Sequence, residues 1–236
     1  TSHWTDSAQF YHIYPLGLTG APERNDFTSD PVPRISQVGS WLDHIEDLGC
    51  SALYLGPLFE STSHGYDTAD YLTVDRRLGT NDDLARLCGE NRRRGMRVIF
   101  DAVFNHVGRD HPWFRDLQSN GEHSRYAGYF SRVDFGGMSP YGDPFSYEGW
   151  NGHFNLVKLD CSSPAVRSYF YEAAARWIGE FGIDGVLLNY GRGSTNELVS
   201  LLAKFNLPVI TVNNLLPYDS AYPDDFGIAR NAAASL

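Results

Sequence analysis

Residues 97–106 read Arg97-Val98-Ile99-Phe100-Asp101-Ala102-Val103-Phe104-Asn105-His106, and the architecture follows from how this stretch is read. Val98, Ile99 and Phe100 form a short apolar run of β-favouring residues, preceded by Gly95 and the basic triplet Arg92, Arg93 and Arg94. A run so short, bounded in this way, predicts a strand buried on both faces, as in a parallel sheet. Asp101, Asn105 and His106 follow within six positions. Polar groups at and just past the C-terminal end of a parallel strand are where α/β barrels place their chemistry. Taken alone, the same stretch also reads as a strand end with ordinary turn residues.

Working outward removes part of that ambiguity. Phe10 to Tyr14 is a β-rich run ended by Pro15. Ile35, Val38, Trp41, Leu42, Ile45 and Leu48 keep helical spacing, with Gly49 closing the helix. Ala52–Leu55 gives a second strand, and a long loop fills 56–75. Asn81 to Arg94 is a second helix, capped by Asn81 or Thr80, with its arginines suited to the C-terminal end of the dipole. Strand, helix, strand, helix, strand at short intervals predicts a parallel sheet with right-handed crossovers. The rhythm stops between Val107 and Asp160, where Gly, Pro, Ser and aromatics dominate without helical period. A stretch of that length predicts a small inserted subdomain. Pro164 then opens a strong helix ended by Gly182, and 183–189 is a fourth strand. A short helix over 198–205, a fifth strand over 209–212 and a sixth beginning at 226–229 complete the reading. The expected domains are a barrel from 1–106 and 160–236, with 107–159 inserted.

Composition narrows the function. The 236 residues are 42% hydrophobic and 20% charged, enough to build a globular core. A net charge of −10 argues against nucleic acid or an anionic membrane surface as partner. Aromatics reach 14%, and a surplus of Tyr and Trp suits platforms for flat ligand faces such as sugar rings. Cys50, Cys88 and Cys161 lack metal-ligand spacing, cannot all pair internally, and read as buried thiols at the first two positions. No apolar run reaches membrane-spanning length. The N-terminus lacks the regions of a signal peptide, and a cytoplasmic protein, one secreted after processing and one with a further upstream domain would all read this way.

With these residues in view, the chain resembles the α-amylase superfamily, glycoside hydrolase family 13. Ser63-His64-Gly65-Tyr66-Asp67-Thr68-Ala69-Asp70-Tyr71 is similar to the family's loop after strand two, and Leu78-Gly79-Thr80 to the start of its next helix. Asp101 to His106 resembles its first conserved region, Leu156 to Asp160 the segment before helix three, and Gly182-Ile183-Asp184-Gly185 the opening of its second conserved region. The resemblance implies a (β/α)8 barrel, possible only in part here, with a small domain inserted after strand three. It also implies retaining chemistry on α-linked glucosides, which needs a carboxylate nucleophile and a second carboxylic acid about 5–5.5 Å away. Tyr66 would stack on the sugar next to the scissile bond, Asp67 would fix its loop, and Asp101 and His106 would bind hydroxyls of that sugar. Asn105 sits where many members use an asparagine as a calcium ligand or to support the inserted domain. No cofactor is otherwise required. The implied partner is an α-glucan or small α-glucoside.

The family's second region then departs from its pattern. Leu187 stands where an arginine would orient the nucleophile, and Asn189 stands at the nucleophile position. An amide is a poor nucleophile and carries no charge to oppose an oxocarbenium ion. After the fifth strand Asn213 and Asn214 occupy the region where the general-acid glutamate belongs. The reading adopted is a family member that keeps sugar-binding geometry with hydrolysis lost or impaired. The alternatives are an active retaining enzyme with displaced carboxylates, and a truncated or engineered barrel serving as a non-catalytic module. With six strands counted, closure of an eight-stranded barrel would need more chain or a second copy, so a homo-oligomer completing the barrel is a further expectation.

Overall fold

The computed structural model describes residues 4–188, the backbone of 189, Lys204 and the backbone of 209–211. The helix expected over 198–205 and the strand expected at 226–229 lie outside the described residues, as do Asn213 and Asn214. The main sheet has five strands in the order β1 (Phe10–Ile13), β2 (Ala52–Leu55), β3 (Arg97–Val103), β7 (Gly185–Asn189) and β8 (Val209–Thr211). All of its pairings are parallel. The turn α1 (Pro15–Leu18) follows β1, and the crossovers carry α2 (Leu42–Asp47), α3 (Asn81–Arg93) and α5 (Pro164–Phe181).

Strand β3 extends beyond the apolar triplet to include Asp101. Its alternating residues divide the core. Val98, Phe100 and Ala102 join the large cluster under the helices, with Trp177, Phe170 and Phe181 of α5. Ile99 faces the other way and packs with Tyr54 and Leu187, flanked by Trp4 and Phe10. Both faces are therefore apolar, as a sheet covered on both sides requires. Phe59 stacks on Trp177 at 4.6 Å between centroids, so the loop after β2 is anchored in the same core.

Two sequence expectations change in form. The helix expected over 35–48 begins as a 3-10 turn, Arg34–Trp41, and becomes α-helical only as α2. Ser36 and Ser40 donate their hydroxyls to the carbonyls of Pro33 and Gln37, three residues back, and so favour the tighter turn over an α-helical start. At α3, Thr80 is the cap: its hydroxyl accepts from the Asp83 N–H while Asp83 accepts from the Thr80 N–H.

The stretch from 106 to 158 holds a second, three-stranded antiparallel sheet in the order β4 (His106–Gly108), β6 (His153–Lys158) and β5 (Gly149–Trp150). It also holds α4 (Pro112–Asn120), a helix the sequence reading did not expect. Pro112 occupies its first turn, His111 caps it through Nδ1, and Trp113, Phe114 and Leu117 are buried. Its three buried positions are lost among the aromatics around them, and histidine is an unusual cap, so the helical period is masked. Between β5 and β6, Asn151 and Gly152 both take positive φ, 47° and 82°, the two-residue turn that Asn-Gly favours in hairpins.

Candidate active site

The site lies where β2, β3 and β7 end. Asp101 closes the inward row of β3, and its register partner on β7 is Leu187. Asp101 is 3% exposed. Its approach to β2 depends on Gly56, whose φ is +148° and where an added Cβ would lie 2.4 Å from the Asp101 Cβ. No side chain fits between them. The hydroxyls of Tyr54 and Tyr66 both reach the Asp101 carboxylate. Burial, then the Asp101 charge, hold both phenols well above the ordinary tyrosine range, so each remains a hydrogen-bond donor. His12 of β1 stacks on Tyr54 at 4.1 Å between ring centroids.

Tyr66 rides on a loop fixed at both ends. Buried Asp67 accepts from the Ser63 N–H at 3.1 Å and the Ser63 hydroxyl at 2.5 Å. The Tyr66 N–H donates to His64 Nδ1, and the Tyr14 hydroxyl donates to the His64 carbonyl at 2.8 Å. Gly108 of β4 backs onto the same loop: its N–H donates to the Thr68 carbonyl, and a Cβ there would meet the Asp67 carbonyl oxygen at 2.4 Å. The second sheet thus presses directly against the Tyr66 loop. Farther along the loop, Asp75 and Arg77 form a buried ion pair at 2.8 Å.

His106 is 2% exposed, and burial pushes its pKa down to about 4, partly offset by the nearby Tyr66 carbonyl. It is a neutral ring at pH 7. Asn105 is fully buried, and its amide lies 3.3 Å from His106 Nδ1. With the amide nitrogen as donor, the ring proton belongs on Nε2. The Asn105 carbonyl accepts from the Leu159 N–H, which joins the strand-three loop to the end of β6. The Asn105 Oδ1 has no hydrogen-bond partner. Calcium takes six to eight oxygens, of which Asn105 Oδ1 would be one, and among the described residues no group of three or more His, Cys, Asp or Glu is placed to hold a metal ion.

Tyr66, Asp101, His106 and Leu187 are thus gathered around one strand-end face, with Asp67 shaping the loop and Asn105 behind His106. Leu187 is 5% exposed, packed on Tyr54 and Ile99. Asn189 pairs in register with Val103, two residues beyond the Asp101–Leu187 pair. A carboxylate, a neutral imidazole and two phenols can hydrogen-bond a neutral polyol, and an aromatic wall suits its apolar faces. Sequence reasoning missed Tyr54, Gly56 and Trp150. A phenol within the apolar run 52–55 and a glycine directly after it were the available signals for the first two. Trp150 stands 5.9 Å from the His106 ring only because the second sheet pairs as it does, and no local pattern marks it.

Comparison with known proteins agrees with this geometry. Residues 32–192 match the family model described as alpha amylase, catalytic domain. A cyclomaltodextrinase from a Bacillus species is 38% identical over 203 residues, covering 77% of this chain and 35% of that protein. Neopullulanase 2 from Thermoactinomyces vulgaris is 36% identical over 201 residues, 78% of this chain and 34% of its own length. Among solved structures, cyclic alpha-maltosyl-(1→6)-maltose hydrolase from Arthrobacter globiformis aligns with a TM-score of 0.73 at 31% identity, covering 88% of this chain and 51% of that one. The chain spans about a third of the length of the curated relatives it matches. On these grounds it belongs to the α-amylase superfamily, glycoside hydrolase family 13, and its five-stranded parallel sheet is part of a (β/α)8 barrel.

Proposed function

We propose that this chain binds an α-linked glucosyl unit at the Tyr66–Asp101–His106 face and that glycoside hydrolysis is lost or severely impaired. The observation that carries the reading is the register of β3 with β7: Leu187 pairs with Asp101, and Asn189 pairs with Val103. Retaining hydrolysis needs a carboxylate to attack the anomeric carbon and a protonated carboxyl group to release the leaving oxygen. Leucine offers neither charge nor hydrogen bond, and the asparagine amide cannot form a stable glycosyl ester. The binding half of the machinery remains: Asp101 and His106 for hydroxyl groups, Tyr66 for an apolar sugar face, and Asp67 to hold the loop. We take 107–159 as the inserted subdomain beside this site, with 1–106 and 160–236 contributing to the barrel. The family's relatives supply the substrate class, α-glucans, since their names include cyclomaltodextrinase and a hydrolase of cyclic maltosyl-maltose.

The test pairs binding with turnover. Maltotriose should bind in calorimetry, and a Tyr66→Ala variant should lose most of that affinity. The parent should release no aryl group from an aryl α-glucoside above a blank preparation. A Leu187→Arg/Asn189→Asp double variant should gain measurable release, because an activated aryl leaving group needs little protonation. Turnover by the parent would overturn the impaired-hydrolysis reading and require carboxylates elsewhere.

A further inference from the structure

The hairpin of the second sheet carries a side chain that the site described above does not use. Trp150 is half-buried, with its ring 5.9 Å from that of His106 and 5.8 Å from that of His153, nearly parallel to the latter at 25°. Its indole Nε1 is enclosed and has no hydrogen-bond acceptor. Enclosed indole N–H groups in folded proteins are nearly always paired. The hairpin that carries it is tied together: Trp150 pairs with His153 across the Asn151-Gly152 turn, and Lys158 of β6 forms an ion pair with Glu148, the residue before β5.

We propose that Trp150 is a sugar-contacting residue contributed by the second sheet, its indole N–H donating to a hydroxyl oxygen of the glucosyl unit beside His106. This rests on the sugar-binding reading and adds a residue to it. The Trp150 N–H is a donor that one hydroxyl oxygen can satisfy, next to a His106 ring whose own N–H lies by the Tyr66 carbonyl. A neutral acceptor fits better than an anion, because Tyr66 links His106 to the Asp101 carboxylate and the whole chain carries a net charge of −10. The ring of Trp150 adds apolar surface of the kind that packs against sugar C–H groups.

The experiment uses the full chain and maltotriose. Trp150→Phe keeps an aromatic ring and removes the N–H, so affinity in calorimetry should fall about tenfold, the scale of one hydrogen bond lost at an enclosed site. Its urea midpoint should match the parent. In the parent, the Trp150 indole N–H resonance, assigned through Gly149 and Asn151, should shift on titration with maltotriose. That measurement stands even where the variant folds poorly. Parental affinity in folded Trp150→Phe, or an indole resonance that stays in place while others saturate, overturns the role of Trp150 and leaves the sugar site intact. No binding of maltotriose by the parent overturns the sugar-binding reading and this inference together.

Discussion

The buried pair of Asp75 and Arg77 offers the sharpest test of how the Tyr66 loop is held. Arg77 is 5% exposed and Asp75 1%, and the guanidinium meets the carboxylate through two bonds, Nε to Oδ1 at 2.9 Å and Nη2 to Oδ2 at 2.8 Å. The remaining donors reach the Ser61 hydroxyl at 3.0 Å and the carbonyls of Pro22 and Glu23 at 2.8 and 3.3 Å. One side chain thus ties the loop after β1 to the loop that leads into Tyr66. Arg77→Met keeps much of the apolar stem and removes every one of these bonds. Asp75 would still accept from the Ser61 N–H and hydroxyl, and from the residue 77 N–H, with no cation to balance it. Breaking one side of a buried pair costs about 3–5 kcal/mol, because the orphaned charge stays out of water. With a urea dependence of about 3 kcal/mol/M, the unfolding midpoint should fall by about 1–2 M. The assay is urea denaturation followed by circular dichroism, with Asp75→Asn/Arg77→Met alongside. Removing the charge as well should recover at least about 1 kcal/mol of the loss, since contacting residues couple on that scale. A loss below about 1 kcal/mol for Arg77→Met, or a double variant as unstable as the sum of the single ones, would refute the reasoning.

Two further outcomes follow from other sites. Burial holds the His111 pKa down to about 3, well below the ordinary 6.5, so the folded chain keeps this ring neutral while the unfolded chain takes up a proton. Its contribution is therefore complete above pH 6.5 and is lost as pH falls from 6.5 towards 3, at about 1.4 kcal/mol per pH unit. His111→Asn keeps a side chain able to cap α4 and should flatten the dependence of stability on pH between 4 and 6 by about one proton; an unchanged slope in urea titrations would count against it. Gly56→Ala forces a Cβ to within 2.4 Å of the Asp101 Cβ at a φ of +148°, so it should lower stability and weaken maltotriose binding together. Parental affinity in calorimetry would show that Asp101 does not need its present position to hold sugar.

Much of this was legible in residues close together along the chain. The alternation of short apolar runs with helical stripes gave the parallel order of β1, β2, β3 and β7, because each element states locally which of its faces is buried. The helix stops at Gly49 and Gly182 were equally local: both take positive φ, where a side chain is strained. The polar set Asp101, Asn105 and His106, and the uncharged residues Leu187 and Asn189, were visible for the same reason, since positions are counted along the chain. The 3-10 start at Arg34–Trp41 and the helix Pro112–Asn120 were not, since serine hydroxyls competing for backbone and a histidine cap leave no regular period.

Sequence alone thus determined the family, the parallel sheet and the uncharged character of positions 187 and 189. Tertiary structure alone decided what surrounds Asp101 and His106. The partners there come from far along the chain: Tyr54 and Gly56 from β2, Tyr66 from a loop pressed by Gly108, and Trp150 from a hairpin paired across β6 to β4. Such neighbours depend on strand register and on how two sheets pack, and those are settled by burial summed over the whole chain.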